Sequence, residues 1–156
     1  MPTTGAAELT ARAIIDTSLY MVLATADRAG RPWSSPVYFA HDGYTEFLWV
    51  SAVEAEHSRN IAVRPRVGIV IFDSHAPIGA GQGVYISAVA EQVGSDHLTR
   101  GIETFSRRSL GHGGAAWTAE DVQAGSGLRL YRAAADSYSI LAKDGRPDHR
   151  IPAHLA

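Results

Sequence analysis

The spacing of apolar positions changes along the chain, and each change marks an expected element. Leu9, Ala13 and Ile14 fall on one face at helical spacing, which predicts an amphipathic helix over Glu8–Thr17 within an N-terminal helical segment, 1–17. Ser18–Ala26 is rich in strand formers, Asp27–Gly30 is a turn ending in glycine, and Arg31–Ala40 reads as the second strand of a hairpin. Pro36 makes that second strand an edge or bulged one, because proline has no N–H for a further neighbour. His41–Gly43 is another turn, and Glu46–Ser51 a third strand. Glu54–Val63 is helical in composition and stops before Pro65. Arg66–Asp73 is almost continuously apolar, which predicts a strand buried on both faces. The glycine- and proline-rich loop Ser74–Gly83 leads into a strand, Val84–Val93. A helix over Asp96–Ser109 aligns Leu98, Ile102 and Phe105. Leu110–Gly127 is loop-rich, with a helix start of capping-box type at Thr118–Asp121. Leu128–Leu141 is the last expected strand, and 142–156 a polar tail.

Short strands at regular spacing with three helices predict one mainly β domain over 1–156, an antiparallel closed or half-open barrel whose ends or gap the helices fill. A chain of 156 residues has room for one core and hardly two. The 14 basic residues are outnumbered by 16 acidic ones, which argues against nucleic acid and against cationic attraction to a membrane surface. Cysteine is absent, so disulfides, thiolate chemistry and cysteine metal sites are excluded. No apolar stretch approaches the roughly 18 residues of a membrane span, and the N-terminus lacks a basic segment followed by an apolar one, so a cytoplasmic protein is expected. Lys143 is the only lysine, so an anion site must use arginine, histidine, hydroxyls or backbone N–H groups.

The usual catalytic motifs are missing: there is no G-x-S-x-G, no Walker A and no H-E-x-x-H. His57 and Ser58 are adjacent on a helix and point about 100° apart, so they do not form a nucleophile and base. None of the seven histidines pairs with another at i, i+2 or i, i+4, and no metal site is expected. Three places remain. The strand Phe47–Ser51 passes into a helix carrying His57, Ser58, Arg59 and Asn60, which suits either an anion or an ordinary solvated face with Asn60 bonding locally. Ser34, Ser35 and Pro36 interrupt the alternation of their strand, as a ligand site or as a bulged edge. Gln82, at the mouth of the glycine loop, offers hydrogen bonds to a heteroaromatic edge or to water.

Taken in order, the segments MVLATADRAGRPWSSPVYFAHDG, EFLWVS, EAEHSRNIAVRPRVGIVIFD and GQGVYISAVAEQV resemble the pyridoxamine 5′-phosphate oxidase-like flavoproteins, the FMN-binding split-barrel proteins. The resemblance covers Leu19–Val93. It implies a six-stranded antiparallel split β-barrel that forms a homodimer, with FMN in a groove at the dimer interface. It implies that Ser35, Pro36, Val37 and Tyr38 run along the flavin ring, that Trp49, Val50 and Ser51 lie beside it, that His57, Ser58 and Arg59 meet the phosphate, and that Gln82 contacts the cofactor. Trp33 and Trp117 are further tryptophans expected near it, Trp117 from the partner subunit. Ser35 and Ala40 stand where vitamin B6 oxidases open and close the flavin strand with arginine and lysine, and Glu56-His57 replaces their Arg-Lys pair. A small-molecule substrate other than a vitamin B6 compound is therefore expected. The chemistry would belong to the flavin, and no side chain is named as catalytic.

Three alternatives remain open. The first is a relative that binds the deazaflavin F420. The second is a non-catalytic flavin- or haem-binding module, with His149 as an axial ligand. The third is an interaction protein without a cofactor.

Overall fold

The computed structural model describes the chain over residues 2–156. Its elements are α1 (Pro2–Thr17), β1 (Tyr20–Ala26), β2 (Pro32–Tyr38), β3 (Ala40–Asp42), β4 (Glu46–Ala52), α2 (Glu56–Val63), β5 (Arg66–Phe72), β6 (Gly83–Gln92), α3 (Ser95–Gly111), a short 3-10 helix (Ala119–Val122), β7 (Leu128–Leu141) and β8 (Arg150–Ala153). The strands form one antiparallel sheet in the order β2-β1-β5-β6-β7-β4-β3, with β8 pairing β7. The two ends of that order, β2 and β3, are neighbours in sequence, separated only by Phe39. The strand expected over Arg31–Ala40 is thus one strand bent at Phe39, with one half on β1 and the other on β4. Counted as one, it completes a six-stranded barrel, and β8 is an addition to it. The architecture is the mainly β split barrel that the sequence predicted.

The hairpin β1–β2 turns through Asp27–Gly30, where Gly30 has φ +83° and Arg31 N–H donates to Asp27 Oδ1 at 2.9 Å. Asp27 is also ion-paired to the Arg31 guanidinium, and these bonds hold its carboxyl below the usual carboxylate range. Pro36 sits in a regular ladder opposite Val22, on a strand whose only neighbour among the described residues is β1, as an edge proline requires. The turn expected at His41–Gly43 lies two residues later. Ala40–Asp42 is strand β3, and the reversal runs through Gly43 (φ +59°) and Tyr44 (φ +62°). Two consecutive positive φ values twist a two-residue turn to match the strands it joins. Tyr44 is held in that unusual conformation by stacking on His41 and by donating from its hydroxyl to Asp16 Oδ2 at 2.6 Å.

The barrel interior is filled by Met21, Leu23, Phe39, Phe47, Trp49, Ile69, Ile71, Val84 and Ile86. Helix α1 seats Ala7, Ala11 and Ile15 on this core, whereas Leu9, expected on the buried face, is exposed. The small alanines let the helix approach closely, and that stripe has little hydrophobic signal in sequence. Helix α3 lays Leu98, Ile102 and Phe105 against Leu48 and Leu130 on the outside of the barrel, as their spacing predicted. Strand β5 was expected to be buried on both faces, but only Val67, Ile69 and Ile71 are, while Gly68, Val70 and Phe72 face outward and are partly or largely accessible. The tail expected to be merely polar contains β8, paired with β7 between Tyr138 and Leu141. Among the described residues no helix is long and apolar enough to cross a membrane.

Candidate functional site

The bend at Phe39 parts the barrel wall. Before the bend the chain pairs with β1, and after it with β4, so β2 and β4 share no ladder. One imidazole spans the gap. His57, in the first turn of α2, bonds Ser35 Oγ of β2 through Nδ1 (3.1 Å) and Ser51 Oγ of β4 through Nε2 (2.8 Å). Both serines are buried. Burial pushes the His57 pKa below the ordinary histidine value, so the ring is neutral at neutral pH. A neutral imidazole has one donor and one acceptor, and here each faces a hydroxyl.

Helix α2 is fixed by two further side chains. Ser58 Oγ donates to Ala52 O at 2.7 Å, tying the helix to the end of β4. Asn60 Nδ2 donates to Thr25 Oγ1 on β1 at 3.0 Å, a buried long-range bond and not the local one expected of it. The N-cap residue, Ala55, makes no side-chain cap, so the leading N–H groups of α2 have no side-chain acceptor there.

Beside His57 lies a cavity of about 480 Å³. Pro36, Val37 and Tyr38 of β2, with Val50 and Ser51 of β4, form one side of it. Phe105 and Ser109 of α3, together with Ala115, Trp117 and Leu128, form the other. The walls are mainly apolar and aromatic. Tyr38 is held by edge-on contacts with Tyr20 and Phe105, at ring-centroid distances of 6.1 and 5.6 Å, and its hydroxyl lies 2.7 Å from His112 Nδ1 at the end of α3. Burial raises the Tyr38 pKa above the ordinary phenol value, so it is protonated at neutral pH.

Of the residues singled out in sequence, Pro36, Val37, Tyr38, Val50, Ser51 and His57 line this cavity, and Ser35 touches it through His57. Ser58 and Arg59 line a separate cavity of about 470 Å³ toward β6 and Tyr131, and Arg59 is paired with Glu56 at 2.9 Å. Trp49 is fully buried inside the barrel, stacked on Tyr131, with Nε1 unpartnered. Gln82 has its amide committed to its own sheet: Oε1 accepts from Gly83 and Leu141 N–H, and Nε2 donates to Leu141 O. Trp33 is half exposed on β2. His149 lies in the β7–β8 connection, bonded to Pro147 O and Arg146. Sequence reasoning missed the α3 wall and His112. The aligned apolar face of α3 was legible, but nothing local says which part of the barrel it covers.

A family model described as pyridoxamine 5′-phosphate oxidase matches residues 8–136. No curated protein matches the chain significantly. Among solved structures, the chain is similar to HutZ, the haem storage protein of Vibrio cholerae, with 22% identity, TM-score 0.65, and coverage of 80% of this chain and 87% of that one. It is similar to a haem-binding protein of Mycobacterium smegmatis, with 23% identity, TM-score 0.71, and coverage of 90% of this chain but 55% of the other. It is also similar to a putative pyridoxamine 5′-phosphate oxidase from Listeria innocua, with 15% identity, TM-score 0.61, and coverage of 83% of this chain and 93% of that one.

Proposed function

Because the chain belongs to the pyridoxamine 5′-phosphate oxidase family, we propose that it is an FMN-dependent oxidoreductase acting on a small molecule, working as a homodimer with the flavin between subunits. One observation carries this reading: the Ser35 hydroxyl, the Ser51 hydroxyl and the His57 ring converge at one end of an aromatic-walled cavity. A flavin mononucleotide needs the same pairing of a hydrogen-bonding anion pocket with flat apolar walls. The residues present fit it. About 480 Å³ is ordinary for a cofactor-sized site. Ser35, Ser51 and His57 would hold the phosphate, beside the uncapped start of α2. Arg59, paired with Glu56 beside the neighbouring cavity, would have to swing across the start of α2 to join them. Pro36, Val37, Tyr38, Val50 and Trp117 would flank the ring, with Ser58 securing the helix. In this reading Trp49 supports the site from within the core, and Gln82 shapes the edge that a partner subunit would present.

Bound FMN would supply two-electron transfer at its ring. The chain's part is to bind, to orient and to exclude water. Tyr38, Phe105 and Trp117 provide rigid walls, and His57 fixes the separation of β2 and β4. A partner subunit would cover the outward face of β2-β1-β5-β6, where Tyr20, Val22, Val70 and Phe72 are accessible.

The absorbance spectrum of the purified protein is the first test. Flavin bands near ~370 and ~450 nm support the reading, while a single strong band near ~420 nm moves it to F420 or haem. The second test titrates FMN and riboflavin against wild type, Ser35→Ala, Ser51→Ala and His57→Ala. Charge-assisted hydrogen bonds are worth about 1.5–3 kcal/mol each, so each variant should lose roughly ten- to a hundredfold in FMN affinity and little in riboflavin affinity. Equal weakening of both ligands would refute the phosphate assignment.

A further inference from the structure

We propose that Tyr38 is the proton donor of the cavity, with its hydroxyl resupplied from solvent through His112. The inference rests on the redox reading above and adds a side-chain role to it. Three observations carry it. Tyr38 lines the cavity, so its phenol can touch a bound molecule. Its ring is fixed from three sides, by Tyr20 of β1, Phe105 of α3 and His112. Its hydroxyl lies 2.7 Å from His112 Nδ1, and His112 is exposed, so the pair links the cavity to water.

The position along the strand also suits the role. Ser35 and Tyr38 are three residues apart on β2, about 10 Å at the usual rise. An anion held at Ser35, Ser51 and His57 therefore leaves Tyr38 at a different part of the cavity, near whatever shares it. The charged and titratable groups that face Tyr38 are Arg108 of α3, Tyr20 of β1 and His112. No carboxylate is among them. The phenol stays protonated at neutral pH, and so remains in its donating form.

A carbonyl, imine or quinone acceptor would take a hydride, an electron pair together with its hydrogen, from reduced flavin, and its oxygen or nitrogen would gain negative charge. The Tyr38 O–H bond breaks, and its proton bonds to that atom. The phenolate takes a proton from Nδ1 of protonated His112, and His112 is reprotonated by water. One proton passes from solvent to product, Tyr38 and His112 return to their starting forms, and neither is oxidised. A positioned general acid contributes typically 10²–10⁴-fold to such a step.

The test uses the FMN-loaded protein with menadione as the probe acceptor. Tyr38→Phe keeps the ring and its packing and removes only the hydroxyl. Single-turnover reoxidation of the reduced protein should be roughly a hundredfold slower in Tyr38→Phe, and the solvent deuterium effect of wild type should vanish. His112→Gln, a positioning change, should slow the reaction less and displace its pH profile. In the cofactor-free protein, nitrogen NMR of His112 should report a changed tautomer balance in Tyr38→Phe. Wild-type protein that binds no FMN would overturn the functional reading and this inference together. Wild-type protein that binds FMN, with Tyr38→Phe reoxidised at the same rate and with the same pH profile, would overturn this inference alone.

Discussion

His57 has opposite pH effects on the fold and on the ligand it is proposed to hold. In the unfolded chain its pKa is about 6.5. In the native protein burial holds it lower. Between these values the unfolded chain binds a proton that the native state refuses, so stability present above about pH 6.5 is lost as pH falls toward the native value. Thermal unfolding followed from pH 7.5 to 5.5 should show this slope, and His57→Gln should remove its share of it. A phosphate dianion beside the ring favours the imidazolium instead, so FMN affinity should rise over the same range in which stability falls. An FMN affinity that does not change with pH would separate His57 from the phosphate. The tryptophans make a second prediction. Trp117 lines the cavity, Trp33 is half exposed on β2, and Trp49 lies at 0% exposure in the core. Adding FMN should quench Trp117 emission, and Trp117→Phe should abolish most of that quenching, whereas Trp49→Phe should not. The family resemblance put Trp49 beside the ligand, with the rest of the end of this strand. Phe47 and Trp49 fill the barrel, while Leu48 and Val50, on the face that Glu46 opens, meet α3 and its surroundings. Ser35 and His57 were legible as candidates through their residue types, and Ser51 through the family resemblance. That one imidazole joins the two serines was not, because the pairing depends on a strand bend that sequence does not mark.

The elements meet at Arg108, and no local pattern announces it. Its guanidinium, carried by α3, donates to Ile15 O (3.1 Å) and Ser18 O (2.8 Å) at the end of α1 and to Phe39 O at the bend between β2 and β3. It also lies 4.4 Å from the centre of the Phe39 ring. These carbonyls have no ladder partner where the helix ends and the strand turns, and one cation satisfies them together. Lysine has no fork to reach several carbonyls at once, so Arg108→Lys should already be damaging. Arg108→Met should cost about 3 kcal/mol, from at least one charge-assisted bond and the carbonyls left without a partner. At about 2–4 °C per kcal/mol for a chain of this size, the midpoint should drop by roughly 6–12 °C in differential scanning calorimetry. A drop under about 2 °C would mean that water replaces the guanidinium at no cost. Element order was legible because hydrophobic period and turn residues are local. The bend at Phe39, the Gly43–Tyr44 turn and β8 were not. Each is set by a distant partner: Arg108 for the bend, Asp16 for Tyr44, and the free edge of β7 for the tail.

At the scale of the whole molecule, the two faces of the sheet are unequal. The inner face is closed over Met21, Leu23, Ile69, Ile71 and Ile86, and α3 covers the outside of β4 and part of β7. Among the described residues no helix lies over the outward face of β1-β5-β6, although Arg150 of β8 reaches onto Tyr85 at its margin. The face presents Tyr20, Val22, Val70 and Phe72 around a shallow trough floored by small residues, Ala24, Ser34, Gly68 and Ser87. The β5–β6 loop adds a fully exposed Ile78. Sequence reasoning took β5 for a strand buried on both faces because it is apolar on both. Its outward residues are what a two-sided strand would have, without the second layer. A symmetric partner would supply that layer, since a twofold axis sets the same trough against itself and needs only one complementary patch. A stable interface of this kind buries about 1,600 Å² in total, and the small residues would let two sheets approach closely. Sedimentation velocity at micromolar concentration should therefore report a dimer. Val70→Arg at the centre of the face should yield a monomer with unchanged far-UV circular dichroism, because the side chain projects outward and takes no part in the inner core. If FMN lies between subunits, the same variant should lose FMN at dilutions where wild type keeps it, although Ser35, Ser51 and His57 are intact. A monomeric Val70→Arg that binds FMN as wild type does would place the whole cofactor site within one chain, and a wild type that sediments as a monomer would leave the open face to some other partner.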